Sequence, residues 1–192
     1  MPVSTPTNSQ PDATDLELVG AFLHGREAAF KELVGRHQQG LYGFVWRQVR
    51  NHADTADICQ KVFLSVFQKA GGFRGEASFR TWLYQLALNQ CRNAHREKAR
   101  ARISDTEVSI DDLQVDEHTA EDEMESTQMR TQMRRVVDSL PPKQRQTLEL
   151  KFYQDLTFKE VAAVMGCPEG TAKANYHHAM TALRSKLRGE TP

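Results

Sequence analysis

The sequence predicts an all-α protein, with a four-helix N-terminal bundle and a C-terminal helix-turn-helix domain joined by an acidic, flexible linker. Apolar residues recur at spacings of three and four along most of the chain, and no segment alternates convincingly between apolar and polar residues. Only 39% of the 192 residues are hydrophobic and 26% are charged. This composition favours two small helical units over one large core.

The composition also excludes several classes of protein. No apolar run approaches the ~18 residues that span a bilayer, so direct membrane insertion is not expected. Residues 1–14 are rich in Pro, Ser, Thr and Asn, and they lack the basic head and apolar stretch of a secretion signal. We expect this segment to be disordered. The three cysteines form no CxxC pair, which argues against a disulfide framework and predicts a reducing, cytoplasmic location.

Four helices are predicted between residues 15 and 100. The expected N-terminal residues of the first, third and fourth are Asp15, Asp54 and Ser78. The second helix repeats apolar residues from Phe30 to Val45, and Gly71-Gly72 closes the third. Short connections between these segments are typical of a helical bundle.

The net charge of zero conceals a strong segregation of charge. Ten acidic residues and no Lys or Arg lie between Asp105 and Glu125, which leaves 25 basic and 15 acidic residues elsewhere. Residues 101–128 are therefore predicted to be an acidic linker between modules that bind polyanions. A solvated surface explains the acidic run equally well.

Residues 129–189 are predicted to form a helix-turn-helix domain. Pro141-Pro142 ends one helix, and Thr157 with Glu160 forms a capping box that begins another. Gly166 supplies the turn before a cationic helix that begins near Gly170. Such a second helix can enter the major groove of DNA and contact base edges. The alternative for this segment is an ordinary helical hairpin.

Three segments resemble bacterial RNA polymerase sigma factors of the extracytoplasmic-function class (sigma-70 family, group IV). Residues 57–64, DICQKVFL, resemble the polymerase-binding helix of that family. Residues 73–84, FRGEASFRTWLY, followed by LALN at 86–89, resemble its promoter-melting segment. Residues 140–145, LPPKQR, and the helix-turn-helix that follows resemble its C-terminal domain.

The resemblance implies three sets of functional residues. Those expected to bind core RNA polymerase are Asp57, Gln60, Lys61 and Leu64. Those expected to recognise and melt the −10 element of promoter DNA are Phe73, Arg74, Ser78, Phe79, Arg80, Asn89, Arg92, Asn93 and Arg96. Those expected to read the −35 element are Thr171, Lys173, Ala174, Asn175, His177 and His178. Residues 15–100 correspond to sigma region 2 and residues 129–189 to region 4.

Four positions depart from the family pattern. Lys61 stands where an acidic residue is usual, and Ala172 stands where a branched aliphatic residue is usual. Asn175 and His178 occupy positions where arginine is common. Arginine reads guanine with two hydrogen bonds, so a changed −35 preference is expected rather than a loss of binding.

Other functions find less support in the residues. Cys91 and His95 lie four apart, but no second pair completes the four ligands of a zinc site, so no metal or other cofactor is expected. No phosphate loop, nucleophile elbow or catalytic carboxylate pair is present, which argues against an enzyme. The main rival is a stand-alone helix-turn-helix repressor or activator. The sigma resemblance also implies an anti-sigma factor as regulator and no stable homo-oligomer, and it leaves open whether the two domains pack together.

Overall fold

The computed structural model describes residues 13–104 and 133–187, and in these ranges every regular element is helical. The helices are α1 (Asp15–Leu23), α2 (Glu27–Val49), α3 (His52–Lys69), α4 (Phe79–Ser104), α5 (Pro142–Phe152), α6 (Phe158–Met165) and α7 (Glu169–Leu187). A 3₁₀ turn, Ala70–Gly72, follows α3, and residues 133–138 form a further helical segment. The all-α, two-domain prediction is confirmed.

Two predicted segments fall largely outside the described residues. Of the N-terminal segment 1–14, only residues 13 and 14 are described, and of the linker 101–128, only residues 101–104. These four linker residues continue α4, which ends at Ser104 rather than at the predicted boundary. None of the helices in the described part of the chain is long and apolar enough to cross a bilayer.

The N-terminal ends of two of the three helices differ from prediction. Thr14, not Asp15, caps α1, because the backbone N–H of Glu17 donates to the Thr14 hydroxyl over 3.3 Å and the Glu17 carboxylate accepts from the Thr14 N–H over 2.7 Å. Helix α3 begins at His52, two residues before the predicted Asp54, and the side chain of its cap Asn51 accepts from the N–H of Asp54. Ser78 accepts from the N–H of Thr81 at the start of α4, as predicted.

The N-terminal domain buries the apolar faces of α2, α3 and α4 against one another, with α1 packed on α2. Phe44, Val62 and Leu83 are fully buried at the centre of this bundle. Phe44 meets the ring of Tyr84 edge-on, with 5.2 Å between ring centroids. These contacts hold α4, which carries most of the predicted −10 residues, in a fixed position against α3.

The C-terminal domain has the predicted helix-turn-helix geometry. Thr157 and Glu160 form the complete capping box at the start of α6, and Gly166 ends this helix with a φ of +66°. Ala172 and Ala179 are fully buried on the inner side of α7, so its opposite side faces solvent. This second helix, α7, begins at Glu169, one residue before the predicted start.

The two domains pack together in one arrangement. Leu150, Leu156 and Val161 of the C-terminal domain share a hydrophobic cluster with Leu83 and Ala87 of α4. The main contact between the domains lies between α4 and α6. The structure thus answers the question that the sequence left open and shows a closed form of the chain.

Candidate nucleic-acid interface

A polar ridge runs along the exposed face of α3. The predicted polymerase-binding residues Asp57, Gln60, Lys61 and Leu64 are all exposed. Their spacing of three and four residues places them on one side of the helix. Ile58 and Val62 are buried behind them and anchor the helix to the core. This arrangement offers a solvent-facing helix on a rigid support, which suits a helix-on-helix contact with a polar rim.

Lys61, which departs from the family pattern, is paired locally. Its ammonium nitrogen lies 2.7 Å from a carboxylate oxygen of Asp57, one turn earlier. The hydrogen bond to Asp57 raises the pKa of Lys61. Both side chains remain more than half exposed, so this ion pair contributes little to stability. At these two positions the ridge therefore presents one carboxylate and one ammonium group, where an acidic residue at position 61 would give two carboxylates.

A second surface lies on α4. Asn89, Arg92, Asn93 and Arg96 follow the helical spacing of three and four, and Arg92 is half-buried whereas the other three are exposed. Asn93 also lines a groove between α3 and α4 together with Asp57 and Lys61. The predicted −10 face therefore adjoins the predicted polymerase-binding ridge.

An aromatic cluster supports the loop before α4. Phe73 stacks on Trp82 with 5.0 Å between ring centroids, and Phe79 meets both rings edge-on at 6.0 Å. Phe79 is 3% exposed, so in this form its ring packs inside the protein and faces no solvent. Arg74 is exposed, and Gly75 adopts a φ of +72° that favours glycine. The loop therefore presents Arg74 outward from a rigid aromatic base.

Two predicted −10 residues, exposed Ser78 and half-buried Arg80, form hydrogen bonds to the C-terminal domain. The Ser78 hydroxyl donates to a carboxylate oxygen of Glu160 over 3.1 Å. The Arg80 guanidinium donates to the backbone carbonyl of Gln154. Ser78 and Arg80 thus lie beside the C-terminal domain, further toward the α4 N-terminus than Asn89, Arg92, Asn93 and Arg96. Sequence reasoning gave Glu160 only its capping role, because nothing local indicates a partner so far along the chain.

The recognition helix α7 presents its predicted residues outward. Thr171, Lys173, Ala174, His177 and His178 are exposed and Asn175 is half-buried. Lys173 forms an ion pair of 2.7 Å with Glu169 in the first turn. The outward face is therefore polar, with one paired cation and two adjacent imidazoles.

A buried polar cluster at the domain interface escaped the sequence analysis. Gln48 donates to Glu149 over 2.5 Å, although the two residues are 101 positions apart. Both are buried, and the Arg47 guanidinium lies 3.7 Å from the same Glu149 oxygen. Burial raises the pKa of Glu149 to about 7, although Arg47, Arg145 and Arg50 oppose this shift. The one feature of the sequence that could have indicated this cluster is that Glu149 lies between two buried leucines, Leu148 and Leu150, one turn after Arg145.

The cysteines and histidines form no metal site in the described ranges. No group of three or more His, Cys, Asp or Glu side chains there could hold an ion. Burial raises the pKa of Cys59 to about 11 and that of Cys91 to about 12. Both thiols are therefore protonated and unreactive at neutral pH.

The two helical domains, the exposed ridge on α3 and the C-terminal helix-turn-helix together point to the sigma-70 family. Residues 33–101 match Sigma-70 region 2, and residues 130–183 match Sigma-70, region 4. More narrowly, the chain belongs to the extracytoplasmic-function (ECF) sigma factors. It is 30% identical over 182 residues to the ECF RNA polymerase sigma-E factor of Escherichia coli K12, covering 91% of this chain and 95% of that protein.

Further relatives agree. The RNA polymerase sigma-H factor of Pseudomonas aeruginosa is 28% identical over 182 residues, covering 91% of this chain and 94% of that protein. CnrH, solved with the cytosolic domain of CnrY, shares the fold with a TM-score of 0.68 at 21% identity, covering 92% of this chain and 99% of CnrH. RpoE of Bartonella quintana, solved with the anti-sigma factor NepR, shares the fold with a TM-score of 0.69 at 18% identity, covering 84% of this chain and 98% of RpoE.

Proposed function

We propose that this sigma factor acts as a dissociable, non-catalytic subunit that directs core RNA polymerase to promoters in the cytoplasm. The α3 ridge binds core polymerase, the loop at 73–78 with α4 recognises and opens the −10 element, and α7 reads the −35 element. The observation that carries this proposal is that one chain matches both sigma region 2 and region 4. A stand-alone repressor or activator would have no use for the α3 ridge.

The α4 face suits a single strand that has left the duplex. An extruded base needs hydrogen bonds to its exposed edge and cations along its backbone. Asn89 offers an amide donor and acceptor, and Arg92 and Arg96 lie one and two turns further along the helix. Stacking and related contacts contribute about 1–3 kcal/mol per base in single-strand binders. We assign base recognition to Asn89 and backbone contacts to the two arginines.

Regulation by an anti-sigma factor belongs to the same proposal. RpoE of Bartonella quintana, which shares the fold, was solved with its anti-sigma factor. A protein partner that covers the ridge or the −10 face would keep the chain from polymerase or from DNA. The exposed ridge residues of this chain leave such a surface accessible.

Transcription in vitro tests the proposal. Purified core polymerase with the full chain should initiate at defined sites on genomic fragments, and core enzyme alone should not. Mapping of the 5′ ends would then reveal the shared −10 and −35 sequences. Absence of binding to core polymerase, or binding without initiation on any fragment, would contradict the assignment.

The −35 preference is expected to differ from the G-rich motif usual in the family. His178 is exposed on α7 where arginine is common, and imidazole cannot form the paired contacts of a guanidinium with guanine. His178→Arg should shift selection toward guanine by about 1–3 kcal/mol at one position. Holoenzyme selection from promoters with a randomised −35 element measures this shift.

The same substitution at an exposed histidine outside the domain, His24→Arg, serves as the control and should leave the preference unchanged. Enrichment of the G-rich motif by the unaltered chain would show that Asn175 and His178 do not set specificity.

A further inference from the structure

The N-terminal end of α4 is covered by the C-terminal domain. The hydroxyls of Ser78 and Thr81 donate to one oxygen of Glu160 over 3.1 and 3.2 Å. The Arg80 guanidinium donates to the Gln154 carbonyl beside them. A carboxylate and a carbonyl thus occupy donors that the proposed function assigns to −10 DNA.

A second group of contacts joins the same two domains. The Tyr84 hydroxyl donates to the side-chain oxygen of Gln154. The guanidinium of Arg50 lies 2.5 Å from Asp138, and Gln48 donates to the buried Glu149. The interface therefore contains a layer of charged and polar pairs beside its apolar cluster. Its buried pairs, Tyr84 with Gln154 and Gln48 with Glu149, are sensitive to the loss of one partner, because the other then stays buried and unsatisfied.

The closed form is too short to reach both promoter elements. Elements named −10 and −35 lie about 25 base pairs apart, or roughly 85 Å of duplex at 3.4 Å per base pair. A compact chain of this length has a radius of gyration of about 16 Å, and hence a diameter of roughly 42 Å. The domains must separate before one chain can contact both elements.

We propose that the domain interface is an autoinhibitory latch, in which the C-terminal domain engages Ser78 and Arg80, at the α4 N-terminal end of the −10 surface, and Glu149 sets how readily the latch opens. The proposal rests on the proposed function for its consequence, since Ser78 and Arg80 belong to the surface assigned to −10 DNA. The α3 ridge remains exposed in the closed form, so docking on polymerase can precede opening.

Glu149 gives the latch a dependence on pH. Its carboxylate is fully buried, and its second oxygen, Oε1, has no hydrogen-bond partner. The titratable or charged groups around Glu149 come from both domains. From the N-terminal domain they are Arg47 and Arg50 on α2, with Tyr84, Cys91 and His95 on α4. From the C-terminal domain they are Asp138, Arg145 and Tyr153. Burial outweighs the arginines and raises the pKa of Glu149 from 4.5 to about 7.

Opening exposes Glu149 to water and returns its pKa to the ordinary range. The closed form therefore binds the proton more tightly and is favoured at low pH. It loses this advantage as pH rises through about 7. Between pH 6 and pH 8 the ratio of closed to open chain should fall roughly tenfold.

Small-angle X-ray scattering of the full chain at pH 6 and pH 8 tests the latch. The radius of gyration should increase with pH in the unaltered chain, whereas Glu149→Gln, which is neutral throughout, should remain compact at both values. His95→Gln is the matched control, because His95 donates to the Gln48 carbonyl within the N-terminal domain and makes no hydrogen bond to Glu149. Its pH response should equal that of the unaltered chain.

Asp138→Asn weakens the ion pair with Arg50 and should therefore raise the open fraction of the chain. If the unaltered chain is too tightly closed for scattering to detect opening, this variant should make the pH response measurable. If neither the unaltered chain nor this variant expands between pH 6 and pH 8, or if Glu149→Gln keeps the response, the role of Glu149 is overturned.

Binding of the −10 strand tests the inhibition itself. The probe is a fluorescent oligonucleotide carrying the −10 sequence mapped by transcription. Its affinity for the free chain should rise severalfold in Asp138→Asn and fall in Glu149→Gln at pH 8, because only the open fraction leaves Ser78 and Arg80 free of Glu160 and Gln154. Equal affinities despite different radii of gyration would overturn the autoinhibition. Loss of initiation in every variant would instead contradict the proposed function, and scattering would still decide whether the latch exists.

Discussion

Asp57→Lys is expected to weaken binding to core RNA polymerase by about 2 kcal/mol or more, which is roughly 30-fold. Asp57 lies on the exposed α3 ridge and is paired with Lys61 over 2.7 Å. The substitution replaces this pair by two ammonium groups one turn apart on the contact surface. Like charges so placed repel each other and any basic partner surface. Titration of labelled core polymerase with the full chain measures the loss.

Two variants make this result specific. Glu27→Lys reverses an exposed charge at the start of α2 and should leave the affinity unchanged. Exchange of both partners, Asp57→Lys with Lys61→Asp, keeps the local ion pair but moves the carboxylate by one turn. If the exchange restores binding, net charge suffices; if it does not, Asp57 contacts polymerase directly. Wild-type affinity in the single variant would remove the ridge from the interface.

Phe44→Ala is expected to lower the free energy of unfolding by about 3–5 kcal/mol. Phe44 is fully buried in α2 and packs edge-on against Tyr84. Truncation removes buried apolar area and leaves a cavity that the surrounding helices fill only in part. Because Tyr84 also donates to Gln154, the loss should reach the domain interface as well.

Urea denaturation of the full chain, followed by circular dichroism, measures this effect. The matched control is Phe152→Ala, since Phe152 is 69% exposed at the end of α5 and the same atoms are removed. Its unfolding free energy should change by less than about 1 kcal/mol. Equal effects of the two substitutions would show that Phe44 does not carry the core of the N-terminal domain.

Local patterns predicted the helices well. The periodic apolar residues located each helix of the two domains, and Gly166 with the Thr157 capping box placed the turn of the helix-turn-helix. The caps at Thr14 and Asn51 were missed because several adjacent residues could serve and packing selects among them. The ridge on α3 was predictable for the same reason as the helices, since its residues repeat at the helical spacing.

The contacts of individual side chains were harder to predict from the sequence than the helices. Phe79 was assigned to −10 DNA, and in the closed form its ring packs against Phe73 and Trp82. Aromatic residues in a loop suit stacking on a base and stacking on each other equally well. Ser78 and Arg80 found partners in the other domain, about 80 residues away, at Glu160 and Gln154.

By itself the sequence determined the helices, the caps that a single motif defines, and the motifs by which this chain belongs to the ECF sigma factors. These features depend on neighbours within one or two helical turns, so they can be read in order along the chain. Only the tertiary structure decided that the domains close on each other and that Glu149 lies buried between them. That outcome depends on contacts between residues about 100 positions apart, such as Gln48 and Glu149, whose energies appear only when both surfaces leave water together.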